Sequence, residues 1–407
     1  MLIWICRPAI TALSFSSNHQ FFSKRKHHEH LADLISVYQK SNLRYLVMQD
    51  WNALRILISY LDPEICVKYM LLNFAPSIQE RIDLLKPVSY ILRFQEWCVD
   101  SDLYSMLFYV YNALIERHFV GVTEDLEYQL LERQVIHSLA ISDQTAQNIR
   151  TRLSDTKINR YTNIYCPAWN NTFDDIIKKV SFPINSTVSG SMISLKPEYF
   201  NVVNMFYFMY DQSDCKRVLE KLTYLYKTQA CKFRISDHVN LSESLEGINN
   251  FLYSDEFSDI IMRILVDWCD NIGRYKSEGL ENLIMVSVIL CLRLKMTLNQ
   301  NNYSRYHKAF DFISGIRKDL GGNNVITLLA FLKKKVNHEV FGSIVDYLME
   351  LSNIPTNYFS DLSEKPSEIV NKSRGSQDLV WKHLQNKYRD ILENEEKFQD
   401  DHKDLTR

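Results

Sequence analysis

Glycine and proline are scarce in this chain, and their scarcity restricts its possible folds more than any other feature of the sequence. The 407 residues contain ten Gly and nine Pro, where average usage predicts about 49 in total. Sheet proteins use both residues in their turns, and nucleotide-binding folds use Gly in their phosphate loops. The low count therefore favours α-helices joined by short polar turns.

Apolar residues recur at helical spacing along most of the chain. One such face carries Tyr104, Leu107, Tyr111 and Leu114, and the spacing returns between residues 202 and 351. Hydrophobic residues form 46% and charged residues 24% of the chain, as in ordinary globular proteins. We predict an all-α fold built as an α-solenoid of antiparallel helix pairs. A compact multi-helix domain is the alternative.

Changes in composition divide the chain into five predicted segments. Residues 1–28 form a leader, 29–154 an N-terminal helical domain and 198–355 a C-terminal helical-repeat domain. Between these domains, residues 155–197 are rich in Asn and Ser and contain three prolines, which predicts a polar linker. Residues 356–407 are polar and charged, and they predict a tail with one further helix.

The leader has the composition of a mitochondrial targeting segment, because it combines cations, serines and apolar residues with no acidic residue. Its cations are Arg7, Lys24, Arg25 and Lys26. We therefore expect a protein of the mitochondrial matrix, either free or peripheral to the inner membrane; an ordinary N-terminus is the alternative. The longest apolar run, from Leu283 to Leu292, is too short to span a bilayer, so no integral membrane segment is expected.

Motifs for catalysis and cofactor binding are missing from the sequence. Neither G-x-G-x-x-G nor the P-loop pattern occurs, and His338-Glu339 lacks the second His of a zinc-protease helix because Gly342 stands in its place. The cluster His27-His28-Glu29-His30 has no further ligands to close a metal site, and the eight cysteines form no C-x-x-C pair. We predict a protein without enzymatic activity, metal or cofactor.

The stretch from Arg150 to Lys196 is basic, whereas the whole chain has a formal net charge of -2. Its candidate RNA-binding residues are Arg150, Arg152, Lys157, Arg160, Lys178 and Lys179. Aromatic residues recur among them at every fourth position: Tyr161, Tyr165, Trp169 and Phe173. Cations interleaved with aromatic rings suit single-stranded RNA, through phosphate contacts and base stacking. The alternative is that the rings form the core stripe of a helix.

A run beginning at Asn201 resembles a pentatricopeptide repeat, which is a pair of helices. The positions that match its two helices are Met205, Phe206 and Met209, then Val218, Leu222 and Leu225. In that family a polar residue early in the first helix reads the base, and Val203 holds this position here. The resemblance therefore implies recognition of RNA backbone or shape. With its leader, the chain resembles diverged fungal mitochondrial factors of organellar mRNA translation, maturation or stability.

Two functions follow from these patterns. The first is a mitochondrial RNA-associated protein that supports the expression of organellar transcripts. The alternative is a helical scaffold or assembly factor that binds protein partners, such as the mitoribosome or assembly complexes. The slightly acidic balance of the chain favours the alternative, because RNA-binding proteins normally present a larger basic surface. A second basic group, Lys333 to Lys335, ends a predicted helix, where cations suit the helix dipole.

Overall fold

Helices account for about 80% of the residues that the computed structural model of this chain describes. These are residues 2–17, 44–74, 101–116, 126–155, 169–184, 192–235, 245–270, 277–299, 312–313 and 324–353. The helical spacing of the apolar residues and the low Gly and Pro content both pointed to this outcome. The prediction of an all-α fold is confirmed.

The helices and strands of the described residues follow one another in this order. Helices α1 to α4 span Leu2–Ser17, Arg44–Tyr60, Pro63–Phe74 and Ser101–Ile115. Then come α5 (Leu126–Ile141), β1 (Gln144–Thr145), α6 (Ala146–Asp155), α7 (Trp169–Val180), β2 (Ser181–Ile184), β3 (Met192–Leu195) and a 3-10 helix (Pro197–Val202). Helices α8 to α13 span Gln212–Lys227, Ile248–Phe251, Asp255–Asp270, Ser277–Asn299, Val325–Val336 and Glu339–Leu351.

Helix α1, which lies within the predicted leader, belongs to the hydrophobic core. It packs against α2, α3 and α4, and its side chains Ile10 and Leu13 are completely buried. Removal of this helix would uncover apolar side chains of its three neighbours, so residues 2–17 are a structural part of the folded chain. That residues 1–28 direct import into mitochondria stays a prediction.

Helix α11 lies at the centre of the described structure. Every residue from Leu283 to Leu292 is buried, and all of them except Ser287 are apolar, as expected of a helix that is apolar on nearly all sides. The helix packs against α4, α10 and α13. Because α4 comes from the first third of the chain and α13 from the last, both ends of the chain contribute to one core.

Contacts between distant helices distinguish the two architectures that the sequence left open. Helix α2 packs against α9, and α3 packs against α10, whereas a solenoid repeat contacts only its neighbours in sequence. One cluster of buried apolar side chains extends from Cys6 to Met349. The described packing therefore favours the compact multi-helix domain over the solenoid, and the segments 29–154 and 198–355 share a hydrophobic core.

Part of the segment 155–197 differs from the polar linker that we predicted. Helix α7 packs against α5, and β1, β3 and β2 form an antiparallel sheet in that order. Strands β2 and β3 pair with Ser181 opposite Leu195 and Ile184 opposite Met192. The reason is an apolar helical face, Phe173, Ile176 and Val180, which is buried completely and outweighs the polar residues around it. Residues 156–168 and 185–191 lie outside the described part.

Candidate nucleic-acid interface

The two arginines of α6 that were predicted to bind RNA form ion pairs within the protein. Arg150 Nη2 donates to Asp174 Oδ1 at 2.8 Å, and its guanidinium lies 4.7 Å from the centre of the Phe173 ring. Arg152 Nη2 donates to Asp214 Oδ2 at 2.9 Å. Phosphate would have to displace a carboxylate at either position, so neither arginine offers an open phosphate site.

The lysines of α7 are engaged to different degrees. Lys179 Nζ lies 2.6 Å from Glu132 Oε1, and this hydrogen bond raises the pKa of Lys179. Lys178 is exposed and has a 3.8 Å ion pair with Asp175, which contributes little energy at a surface. Lys196 Nζ donates to the carbonyl oxygens of Lys178 and Lys179, at the end of α7. Lys178 is therefore the most accessible cation of the predicted set within the described residues.

The remaining members of that set are only partly described. Lys157 and Arg160 lie outside the described residues, as do Tyr161 and Tyr165, and the side chain of Trp169 is also outside them. Phe173 is completely buried beneath Arg150. For this ring the structure supports the core stripe rather than the stacking platform.

A polar cluster that the sequence did not reveal lies in the core between α4, α5 and residues 203–210. Arg133 donates to both carboxylate oxygens of Glu116, at 3.0 and 2.7 Å. Asn204 Nδ2 donates to Glu116 Oε1 at 2.7 Å and to Asn112 Oδ1 at 3.3 Å. Burial lowers the pKa of Arg133, but the charge and hydrogen bonds of Glu116, together with Tyr207 and Tyr111, leave the pKa above its ordinary value, so the guanidinium stays charged. These pairings make the cluster a structural element.

The same cluster explains why residues 203–210 are not helical, although the pentatricopeptide resemblance placed a helix there. Asn204 Oδ1 accepts hydrogen bonds from the Phe206 backbone N–H and from the Tyr111 hydroxyl, both at 2.9 Å. The Asn204 backbone N–H donates to His137 Nε2 at 3.0 Å. Side-chain bonds to the backbone compete with helix formation, so this run becomes a series of turns held against α4 and α5. The run beginning at Asn201 therefore lacks the first of the two helices that a pentatricopeptide repeat has.

The outer face of α8 carries the exposed cations that the sequence reasoning missed. Lys216 and Lys227 are exposed and form no ion pair with the described residues. Between them stands Tyr224, whose side chain is 67% exposed. Glu220 lies on this face as well, and Arg217 is paired with Asp214 at 2.7 Å. We call Lys216, Tyr224 and Lys227 the α8 face.

A cleft of about 810 Å³ opens beside the end of the α8 face, between residues 226–234 and helices α12 and α13. Two cations in its wall form ion pairs: Arg234 with Glu350 at 2.9 Å, and Lys333 with Asp346. Lys227 and Lys232 also line the cleft. Neither has an ion-pair partner in the part of the chain that the structure describes. The cleft thus holds two cations outside the described ion pairs, together with a third carboxylate, Glu339.

Helical periodicity along α8 was the one sequence signal for this surface. Residues 216, 224 and 227 fall on one side of a helix, opposite the buried Val218 and Leu222. No local run of charge marks them, because Glu220 and apolar residues separate the lysines. No pattern in the sequence predicts the cleft, because three separate segments of the chain form it.

Comparison with known proteins adds no further assignment: no family model and no curated protein matches the sequence. Within the described ranges, no helix is both long and apolar enough to cross a bilayer. The described part of the chain also contains no group of three His, Cys, Asp or Glu side chains placed to hold a metal ion.

Proposed function

We propose that this protein is a non-enzymatic, helical RNA-associated protein of mitochondria that supports the translation, processing or stability of organellar transcripts. The observation that carries this proposal is the α8 face. There, two lysines without carboxylate partners among the described residues flank the exposed ring of Tyr224. The leader composition supports the mitochondrial address.

The α8 face has the two kinds of contact that single-stranded RNA requires. A lysine without a carboxylate partner binds phosphate and releases counterions without first breaking an ion pair. An exposed aromatic ring stacks on a base, which is worth about 1–3 kcal/mol per base. Both contacts are available to any base, so we expect recognition of the RNA backbone with little direct reading of sequence. Val203 is only 2% exposed and reads no base.

RNA crosslinking in isolated mitochondria tests this function, with the full-length protein and two double variants. Lys216→Gln with Tyr224→Ala removes one cation and one ring from the α8 face. Lys335→Gln with Phe182→Ala is the matched control, because it removes an exposed lysine and an exposed ring outside both the α8 face and the predicted RNA-binding set. We expect crosslinked organellar RNA with the wild type and the control, and a loss of RNA recovery with the α8 variant. Recovery of no transcript, or equal recovery from all three proteins, would refute the proposal.

The scaffold alternative rests on a different observation, which is the distribution of exposed apolar side chains. Helices α1 to α3 carry Ile5, Tyr60 and Ile65 at 67%, 59% and 48% exposure. Exposed apolar side chains form a contact surface for a protein partner where they lie side by side. Affinity purification from mitochondria separates the two functions. A stable protein complex that persists after ribonuclease treatment, with no RNA bound at low salt, would favour the scaffold.

A further inference from the structure

The α8 face contains a carboxylate that RNA binding does not explain. Glu220 is exposed and lies between Lys216 and Tyr224 on the same side of the helix. At about 1.5 Å per residue, Glu220 lies about 6 Å, Tyr224 about 12 Å and Lys227 about 16 Å beyond Lys216 along the helix axis. The order along this face is therefore cation, anion, aromatic ring, cation. A nucleic-acid strand has no cation that could pair with Glu220.

The sequence contains a run of residues with the complementary order of charges. Residues 393–401, which lie outside the described part of the chain, include five acidic residues and one lysine, and we call them the acidic run. Its order is anion, cation, aromatic ring, anion: Glu395 and Glu396, then Lys397, Phe398, Asp400 and Asp401. An extended chain places Glu395 and Asp400 about 17 Å apart. This distance is close to the distance between the two lysines of the α8 face.

The described part of the chain ends close to the α8 face. Its last residue is Asn353, and Glu350, about one helical turn earlier, pairs with Arg234 at 2.9 Å. Arg234 and Lys227 line the same cleft. Residues 354–392 connect Asn353 to the acidic run, and a chain of that length can extend over about 130 Å. The acidic run is therefore able to reach the α8 face of its own chain.

Other cations of the described residues fit the acidic run less well. Arg150, Arg152 and Lys179 already pair with carboxylates of the protein at 2.6–2.9 Å. Lys178 is accessible, but the Asp175 carboxylate lies 3.8 Å from its amine and would repel a second carboxylate. The order of charges and the position of Asn353 both favour the α8 face.

We infer that the acidic run binds along the α8 face of the same chain and competes there with RNA. The matching positions are Glu395 with Lys216, Lys397 with Glu220, Phe398 with Tyr224, and Asp400 with Lys227. Each exposed ion pair contributes little energy, but the covalent connection raises the effective concentration of the acidic run to about the millimolar range. The contact follows from the order of charges, whereas the competition rests on the proposed function. RNA must displace the acidic run, so the chain limits its own affinity for RNA.

Carbodiimide crosslinking of the full-length protein without RNA tests the contact. This reagent joins a lysine amine directly to a carboxylate beside it. We expect crosslinks from Lys216 and Lys227 to the acidic run, and a crosslink of the opposite sense between Glu220 and Lys397. Lys178 is the internal control, because it is exposed on another helix. The contact is excluded if neither lysine of the α8 face joins the acidic run, or if Lys178 joins it in equal yield.

Two quadruple variants of the full-length protein test the competition. The run variant neutralises acids of the acidic run: Glu395→Gln, Glu396→Gln, Asp400→Asn and Asp401→Asn. The matched control neutralises four other acids among residues 354–407: Asp361→Asn, Glu364→Gln, Glu368→Gln and Asp378→Asn. Both variants lose the same negative charge, so the general attraction of the chain for RNA changes equally. We expect the run variant to bind single-stranded RNA about fivefold more tightly than the control, which corresponds to about four molecules in five with the α8 face covered.

A third variant tests the aromatic contact without any change of charge. Phe398→Ala removes the ring that faces Tyr224, and aromatic pairs contribute beyond the area that they bury. We expect RNA affinity to rise about threefold relative to the wild type. An unchanged affinity would exclude Phe398 from the contact.

The results separate this inference from the proposed function. Equal RNA affinity of the run variant and its matched control overturns the competition, even where the α8 face itself binds RNA. Absence of RNA binding in every protein overturns the proposed function together with the competition, while the crosslinks still decide the contact. Crosslinks that occur only between two copies of the chain overturn the intramolecular contact, because the acidic run of a second copy then covers the α8 face.

Discussion

Arg133 and Glu116 form a bidentate ion pair inside the core, with N–O distances of 3.0 and 2.7 Å. Glu116 is completely buried and Arg133 is 6% exposed. The pair joins the end of α4 to α5, and through Asn204 it also holds residues 203–210. Loss of one partner leaves the other charge buried without compensation, which makes this pair sensitive to substitution.

Replacement of one partner should therefore destabilise the protein strongly. Glu116→Gln is expected to lower the free energy of unfolding by about 3–5 kcal/mol, because Arg133 remains charged and buried. The control is Asp174→Asn, which breaks the half-exposed Arg150 pair and should cost about 0–1 kcal/mol. Urea denaturation measures both. Equal, small losses for the two variants would show that the buried pair is not a structural element.

Gly247 provides a test of the packing between α2 and α9, and Gly342 provides its control. A Cβ at Gly247 would lie 1.9 Å from the Ser59 carbonyl oxygen, so Gly247→Ala must push the two helices apart and should cost about 1–3 kcal/mol. At Gly342 the nearest atom to a Cβ is Lys333 Cε at 3.5 Å, an ordinary contact. Gly342→Ala, inside helix α13, should therefore stabilise by about 0.5–1 kcal/mol. Thermal denaturation should move in opposite directions for the two variants, and movement in the same direction would contradict the described packing.

Helix α1 gives a prediction that bears on the leader. Leu13→Ala should lower the free energy of unfolding by about 2–5 kcal/mol, since the side chain is completely buried. Ile5→Ala, at a side chain that is 67% exposed, should change it by less than about 0.5 kcal/mol. Chemical denaturation of the full-length chain is the measurement. If neither variant has an effect, α1 is a dispensable segment and its packing in the core is not maintained in solution.

The protonation of His338 predicts a dependence of stability on pH. Burial lowers the pKa of His338 below its ordinary value of 6.5. As the pH falls, the unfolded chain therefore binds this proton at a higher pH than the folded chain does. Folding stability associated with His338 is complete above pH 6.5 and is lost as the pH falls through the folded-state pKa. The test uses a pH range around the ordinary His pKa of about 6.5. Unfolding curves between pH 5 and 8 should show this loss in the wild type and a smaller loss in His338→Gln. An identical dependence of stability on pH in the two proteins would contradict a lowered pKa of His338 in the folded chain.

The helices were predictable because their signal is local. The periodic apolar faces of residues such as Leu107 and Tyr111 predict helices wherever they occur, and both residues are buried as expected. The sequence also showed that cations are concentrated around Arg150, but it could not show their partners. Asp214 is far from Arg152 in the chain, and only the fold brings the two side chains to 2.9 Å.

Other features depend on long-range contacts that no local pattern encodes. Asn204 reads as one polar residue in an apolar run, yet its bonds to Glu116, Tyr111 and His137 remove a helix that the spacing predicted. In the same way, the polar residues between 155 and 197 predicted a linker, while Phe173 and its neighbours draw α7 onto α5. Burial of a few apolar side chains outweighs the average composition of a segment.

Salt dependence of RNA affinity tests the central claim, RNA binding by the α8 face, most directly. Affinity of the full-length protein for single-stranded RNA should fall linearly on a double-logarithmic plot against salt concentration. Lys216→Gln and Lys227→Gln should each make the slope shallower by about 0.7, the value for one phosphate contact on a single strand. Lys335→Gln, at an exposed lysine outside the α8 face, should leave the slope unchanged. The account is contradicted if the wild type shows no salt-dependent RNA binding, or if Lys335→Gln changes the slope and the two α8 variants do not.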